Sequence, residues 1–355
     1  MKNTFNIIIL IISLLVLNCE KNSNPVLSHG ETCEGPNGAI SSSGRWQEFN
    51  TSNSCLPDNT IRCLEVDHNN NLWVGTDNGL VFYDGIKWII YNTNNSGLPS
   101  NVILSLASDS DTIWVGMGGA LVKFDGRSWI VYDSSNSPLG NTFHSEEIGF
   151  TILTLKVDSK HNIWAGTNYY GLYKFDNTNW TVYYPTYETP ISSSSISTID
   201  IDAQDIVWIG HFEPAGIDKF DGKNWVNYTP DNSPLPDLYI NDIQIDKVNV
   251  KWFATSFGLA RFDDTSWDVY ETTNSAIEYE ILFSIAPDSK NNLWIGTFSG
   301  ALLTQNNSGW STFYINDATE PAKPYNTINC VKVDHDDNKW LGTYSGVYKF
   351  NEEGI

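Results

Sequence analysis

LWVGTDNGLVFYDGIKWIIY, residues 72–91, holds three short apolar runs separated by Asp77-Asn78-Gly79 and by Asp84-Gly85. Such Asn-Gly and Asp-Gly pairs are the punctuation of β-hairpins. The runs are too short for helices and are rich in Val, Ile, Tyr, Phe and Trp, so they read as strands. A fourth run, Ile61 to Asp67, precedes them across His68-Asn69-Asn70-Asn71. One unit is therefore a four-stranded antiparallel meander.

The unit repeats. A W-x-G/A-x step recurs at Trp73, Trp114, Trp164, Trp208, Trp252, Trp294 and Trp340, at intervals of 41, 50, 44, 44, 42 and 46 residues. A second Trp follows 15 to 17 residues later at Trp88, Trp129, Trp180, Trp225, Trp267 and Trp310. The seventh unit stops at Tyr348-Lys349-Phe350 without a last strand. Arg45-Trp46-Gln47-Glu48-Phe49, at the other end, matches Lys87-Trp88-Ile89-Ile90-Tyr91 and supplies it. All 14 Trp residues thus occupy two repeat positions. Four-stranded units of about 44 residues are propeller blades, and each must stack on neighbours to bury its faces. The expected fold is all-β: a seven-bladed β-propeller of four-stranded antiparallel blades, closed by an N-terminal strand that completes the last blade. A linear solenoid would need polar capping repeats, and the sequence shows none.

Ahead of the ring, Lys2 and the apolar run Phe5 to Leu17 have the proportions of a secretion signal rather than a membrane span. The run ends in Val16-Leu17-Asn18-Cys19 and resembles a bacterial lipoprotein signal, although Asn18 departs from the small residue usual before the cysteine. The resemblance implies lipidation at Cys19 and a place in the cell envelope, at the outer membrane or cell surface, on the periplasmic side or outside; an uncleaved anchor is the other reading. Expected boundaries are 1–18 for the signal, 19–43 for a flexible tether rich in Asn, Ser, Gly and Pro, 44–350 for the propeller and 351–355 for a tail. The formal charge of −22 argues against nucleic acid and anionic lipid as partners, because phosphate contacts need Lys and Arg. Contact with a membrane is expected through the lipid anchor alone.

Each inner strand ends in an Asp, from Asp67 to Asp334, with residues one and three places earlier that are nearly always apolar and a small or polar residue four places earlier. The Asp residues read as turn formers. No loop has Ca²⁺-site spacing, so neither metal nor cofactor is expected. The third strands open with Gly, which points to positive φ or a close backbone approach.

The unit D-x-x-x-N-x-W-x-G-T-x-x-G-L-x-x-F/Y-D-G-x-x-W-x-x-Y, over residues 44–350, resembles the two-component regulator propeller repeat. That family implies an extracytoplasmic sensor domain of bacterial hybrid histidine kinases. The chain stops at Ile355 directly after the ring, so kinase activity is not expected of it.

Turns after the W-x-G-T steps share a face with the long connections between blades. They carry Tyr169 and Tyr170, Phe212, Phe257, Phe298 and Tyr344, where the first two blades use Asp77-Asn78 and Gly118. An exposed arc of aromatics suits stacking on sugars or gripping an extended peptide; the alternative is that the rings tuck under the loops. The expected partner is a glycan or a protein or peptide, bound without catalysis. The runner-up is a lyase or hydrolase. It would work at His144 and His211 with Glu213 and neighbouring carboxylates, by resemblance to virginiamycin B lyase, whose pattern does not match residue by residue. Four cysteines outside the signal allow three pairings. Cys63 and Cys330 share a register in the first and last inner strands, which suggests a seam disulfide with Cys33–Cys55 as the second bond. Two small buried thiols are the alternative.

Overall fold

Seven antiparallel sheets stand around one axis in the computed structural model, which describes residues 19–20, 30–35, 38–140, 149–187, 189–277, 281–306, 309–318 and 327–355. The inner strands are Ile61–Val66, Ser105–Asp109, Ile152–Val157, Ile196–Ile201, Ile240–Ile245, Leu282–Pro287 and Cys330–Val333. Each touches the next, and the cycle closes from the last back to the first. Six of the seven second strands, such as Leu72–Thr76 and Ile163–Thr167, are buried at every residue because they are covered on both faces. Trp46–Phe49 pairs with Val347–Phe350 as the outer strand of the seventh blade, with Trp46 opposite Phe350. The ring is closed from its N-terminal side, as the sequence predicts.

Two repeat positions explain the stacking. The Gly of each W-x-G-T step lies against an Ile of the next blade. A Cβ would sit 2.8 Å from Ile103 at Gly75, 2.5 Å from Ile196 at Gly166 and 2.6 Å from Ile61 at Gly342. At these distances a Cβ would collide, so six blades use Gly here, and the fifth fits nothing larger than the methyl group of Ala254. The third-strand glycines do take positive φ, 131° at Gly79 and 132° at Gly346.

The inner-strand Asp does more than form a turn. At Asp158, one oxygen accepts the backbone N–H groups of Lys160 (3.0 Å) and Asn162 (2.9 Å); the other accepts the Asn162 amide (2.7 Å) and the Trp164 indole N–H (3.0 Å). The same indole bond recurs in the blades of Trp73, Trp208, Trp252, Trp294 and Trp340. Trp114 lacks it, and there the Asp-to-Trp spacing is five rather than six. In five blades a Lys or Arg of the third strand lies over the same Trp ring, as Lys174 does over Trp164 at 4.9 Å. In the sixth blade that cation, Lys339, comes from the seventh. The second Trp of each unit is less uniform: Trp46 and Trp88 are fully buried, whereas Trp129, Trp180, Trp225, Trp267 and Trp310 are half-buried at outer edges.

Pairing begins before Gly44, and this corrects the expected tether. Glu31–Cys33 adds to the outer edge of the first blade, and Ala39–Ile40 adds to the outer strand of the seventh. An open sheet edge offers unpaired backbone groups, and this segment covers two of them. Cys33 is bonded to Cys55, with the Cα atoms 6.1 Å apart. Cys63 and Cys330 are free thiols instead of a seam disulfide. Equivalent residues in adjacent blades point the same way round the ring: Cys330 Sγ packs at Gly342 beside Ile61, and Cys63 Sγ packs at Gly75 beside Ile103. They follow one another rather than face each other. The seam is held instead by Lys332–Glu65 (2.9 Å), by Asn329 donating to the Ile61 carbonyl (3.2 Å) and by Phe49 against Trp88 (5.5 Å).

Candidate functional site

Five inner strands carry a β-bulge at their first turn-side residues, between Ile61 and Cys63, Ile152 and Thr154, Ile196 and Thr198, Ile240 and Asp242, and Leu282 and Ser284. A bulge leaves one residue out of the ladder and re-aims it. The residues left out, Arg62, Leu153, Ser197, Asn241 and Phe283, line the axial cavity of about 260 Å³ at one mouth. The antiparallel register puts the turns after W-x-G-T at this same end. Contacts join the two sets: Arg62 to Asp77 (2.8 and 2.9 Å), Asn241 to Ser256 (3.4 Å) and the Phe283 ring to Phe298 (6.0 Å).

Tyr169, Phe212, Phe257, Phe298 and Tyr344 stand on this rim with 42% to 57% of their surface exposed. They come from five consecutive blades. Tyr170 does not join them: it is buried against Phe150 (5.4 Å), the satellite core that was the alternative for these rings. Beneath the rim, the cavity wall alternates charge. Lys332 meets Glu65, and Lys156 meets Asp200 at 2.8 Å. Burial alone would lower the Lys332 ammonium, but Glu65, then Asp242 and Asp200, outweigh it and hold it above its ordinary value. Burial pushes Asp242 up, even though its oxygens accept from Ile285 N–H (2.9 Å) and Ser284 (3.1 Å) of the next blade. Burial likewise pushes the Cys330 thiol up to about 12.

The histidine of the catalytic alternative is elsewhere than expected. His211 is fully buried inside the fourth blade, where its Nε2 lies 2.9 Å from Asp218. Asp218 in turn accepts from the Ser192 N–H and hydroxyl (both 2.7 Å) and from Asn227 (3.0 Å). His211 occupies the Thr register of W-x-G-T, where Thr76, Thr167 and Thr255 point inward to a backbone carbonyl of their own blade. It cannot serve substrate at the rim. Glu213 is bonded to Ser193 (2.8 Å), and His144 lies outside the described residues, as does the side chain of Cys19. Among the described residues no three His, Cys, Asp or Glu side chains gather to hold a metal, and no helix is long and apolar enough to cross a membrane.

Residues 55–78 and 277–299 match the model of the two component regulator propeller family. No curated protein matches the chain. Among solved structures, the extracellular domain of a hybrid two component system from B. thetaiotaomicron is similar at 20% identity and TM-score 0.70, over 87% of this chain and 41% of that one. This chain therefore spans less than half of that protein. Virginiamycin B lyase from Staphylococcus aureus is similar at 12% identity and TM-score 0.66, over 86% and 98% of the two chains. A structure of YCF48 bound to D1 peptide is similar at 13% identity and TM-score 0.60, over 89% and 99%. At these identities the likeness is one of fold. The chain is a seven-bladed β-propeller, two stretches of which match the two component regulator propeller repeat.

Proposed function

We propose that the chain is an extracytoplasmic ligand-binding propeller, held to the envelope by a lipid on Cys19, whose recognition surface is the aromatic rim around the axial mouth. It would act as a sensory, scaffold or uptake accessory without kinase activity. The observation that carries this reading is the row of five half-exposed rings at turn positions where the fold itself accepts Asp77 or Gly118. Such rings offer large, stiff, apolar faces at little entropic cost, and they suit a sugar or an extended peptide. The bulged residues set polar groups behind the rings, the arrangement of a ligand site. The lipoprotein-like N-terminus and the extracellular hybrid-system neighbour support the location, and the peptide-bound neighbour supports the ligand class.

Glycan arrays and peptide libraries probed with the secreted chain test the reading. A ligand found this way should lose about 30-fold or more in affinity on Phe257→Ala with Phe298→Ala, since half-exposed aromatic anchors are each worth about 1 kcal/mol or more. Full affinity in that double variant would refute the rim as the site.

A further inference from the structure

Both ends of the ring are acidic, and they differ in where the bases lie. Among the described residues, the connections at the aromatic end carry Asp58, Asp133, Asp231, Asp237 and Glu271, and its turns carry Asp77 and Glu213, with no Lys or Arg in either set. The turns of the opposite end do hold bases, Lys160, Lys247 and Lys290 after inner strands and Lys87, Arg127 and Lys223 before outer ones, interleaved with more numerous carboxylates such as Asp158, Asp246, Asp288 and Asp336. One base, Arg62, reaches the aromatic mouth, and its guanidinium is already engaged by both oxygens of Asp77.

Donors at the mouth are engaged as well. The Asn241 amide donates to the Leu282 carbonyl (2.8 Å), the Asn329 amide to the Ile61 carbonyl (3.2 Å), and the Ser197 hydroxyl to the Ile240 carbonyl. Asn241 spends both amide hydrogens, the second on Ser256 (3.4 Å), and both Asn side chains keep an acceptor oxygen. Electron-rich ring faces, acceptor oxygens and carboxylates attract the same thing, a hydrogen-bond-donating cation. We infer that the occupant of the rim is a peptide segment presenting Lys or Arg side chains, with a ring beneath each charge and rim carboxylates setting the approach. This rests on the reading of the rim as the binding surface, and it excludes acidic glycans and acidic peptides as occupants.

Calorimetric titration with a Lys-Gly repeat peptide, its lysine-acetylated counterpart and a neutral oligosaccharide, each against the parent chain and the F257A/F298A variant, separates the possibilities. The lysine peptide should bind, the acetylated form about 10-fold or more weakly, and F257A/F298A should lose about 10-fold although no charge has changed. Glu213→Gln should mainly flatten the salt dependence. Equal binding of the acetylated peptide overturns the inference. So does lysine-peptide binding indifferent to F257A/F298A, which would be diffuse attraction to an acidic protein. An oligosaccharide bound and lost on F257A/F298A, with no lysine-peptide binding, overturns the cationic occupant while leaving the rim as the site. Binding of no probe at the rim overturns both.

Discussion

Replacing Asp158 with Ala removes the acceptor for four donors at once: two backbone N–H groups, the Asn162 amide and the Trp164 indole. The turn amides can turn to water at about 0.5–1 kcal/mol each. The indole N–H belongs to a ring only 3% exposed, and leaving it unpaired costs about 1–3 kcal/mol. The expected loss is about 2–5 kcal/mol. The second blade is the internal control. Trp114 has no such bond, and Asp109 instead holds the half-exposed His161 at 2.6 Å. Asp109→Ala should therefore cost about 1 kcal/mol or less. Burial pushes the Asp158 carboxyl up, yet the bonds from Asn162 and Trp164 outweigh it and hold it below its ordinary value of 3.8. A depressed carboxylate stabilises the fold above that value, and its contribution is lost as the pH falls through the lowered one. The gap between parent and Asp158→Ala should then be constant near neutrality and shrink only in strong acid. Urea unfolding followed by Trp fluorescence at pH 7 and at pH 2–3 measures it. Equal costs for Asp109→Ala and Asp158→Ala would refute the role assigned to the indole bond.

Three further expectations follow from the seam and the axis. Cys33→Ser with Cys55→Ser, which opens a loop of sequence separation 22, should cost about 3 kcal/mol and make Trp88 accessible to acrylamide quenching. Lys332→Ala should cost about 1–2 kcal/mol by leaving Glu65 with the Ser108 donors but no cation, whereas Lys332→Met with Glu65→Leu should be nearly neutral; thermal melts of the two compare them. Burial raises the Cys330 thiol, so iodoacetamide should label it slowly in the native chain and readily after unfolding; equally rapid labelling in both states would contradict that shift.

The fold was legible because Trp73 and its six counterparts recur at a period only a blade can use, and because Trp46 fills the one vacancy in that series. The rim was legible for five of six rings. Tyr170 failed because adjacent turn residues alternate sides: Tyr169 takes the solvent side with φ 63°, and its neighbour is left to the core. His211 could have been placed from the sequence, since Trp208-Ile209-Gly210-His211 sets it where the other blades put an inward-pointing Thr. The six-residue Asp-to-Trp spacing was equally visible, but its meaning required the indole geometry. Residues 30–43 gave no signal, because their pairing depends on which sheet edges the finished ring leaves open rather than on any pattern of their own.

The segment from Glu31 to Phe49 grips both sides of the seam, and this sets how the molecule bears load. A pull applied at Cys19 loads its pairing with Cys33 first, then the strand Glu31–Cys33, and is passed through the sulfur bridge to the connection at Cys55. Trp46–Phe49, the strand whose loss would open the ring, lies on the slack side of that bridge. Tension on a leash at this end would therefore spare the closure, and a surface-held ring could be tugged by a large ligand without unzipping.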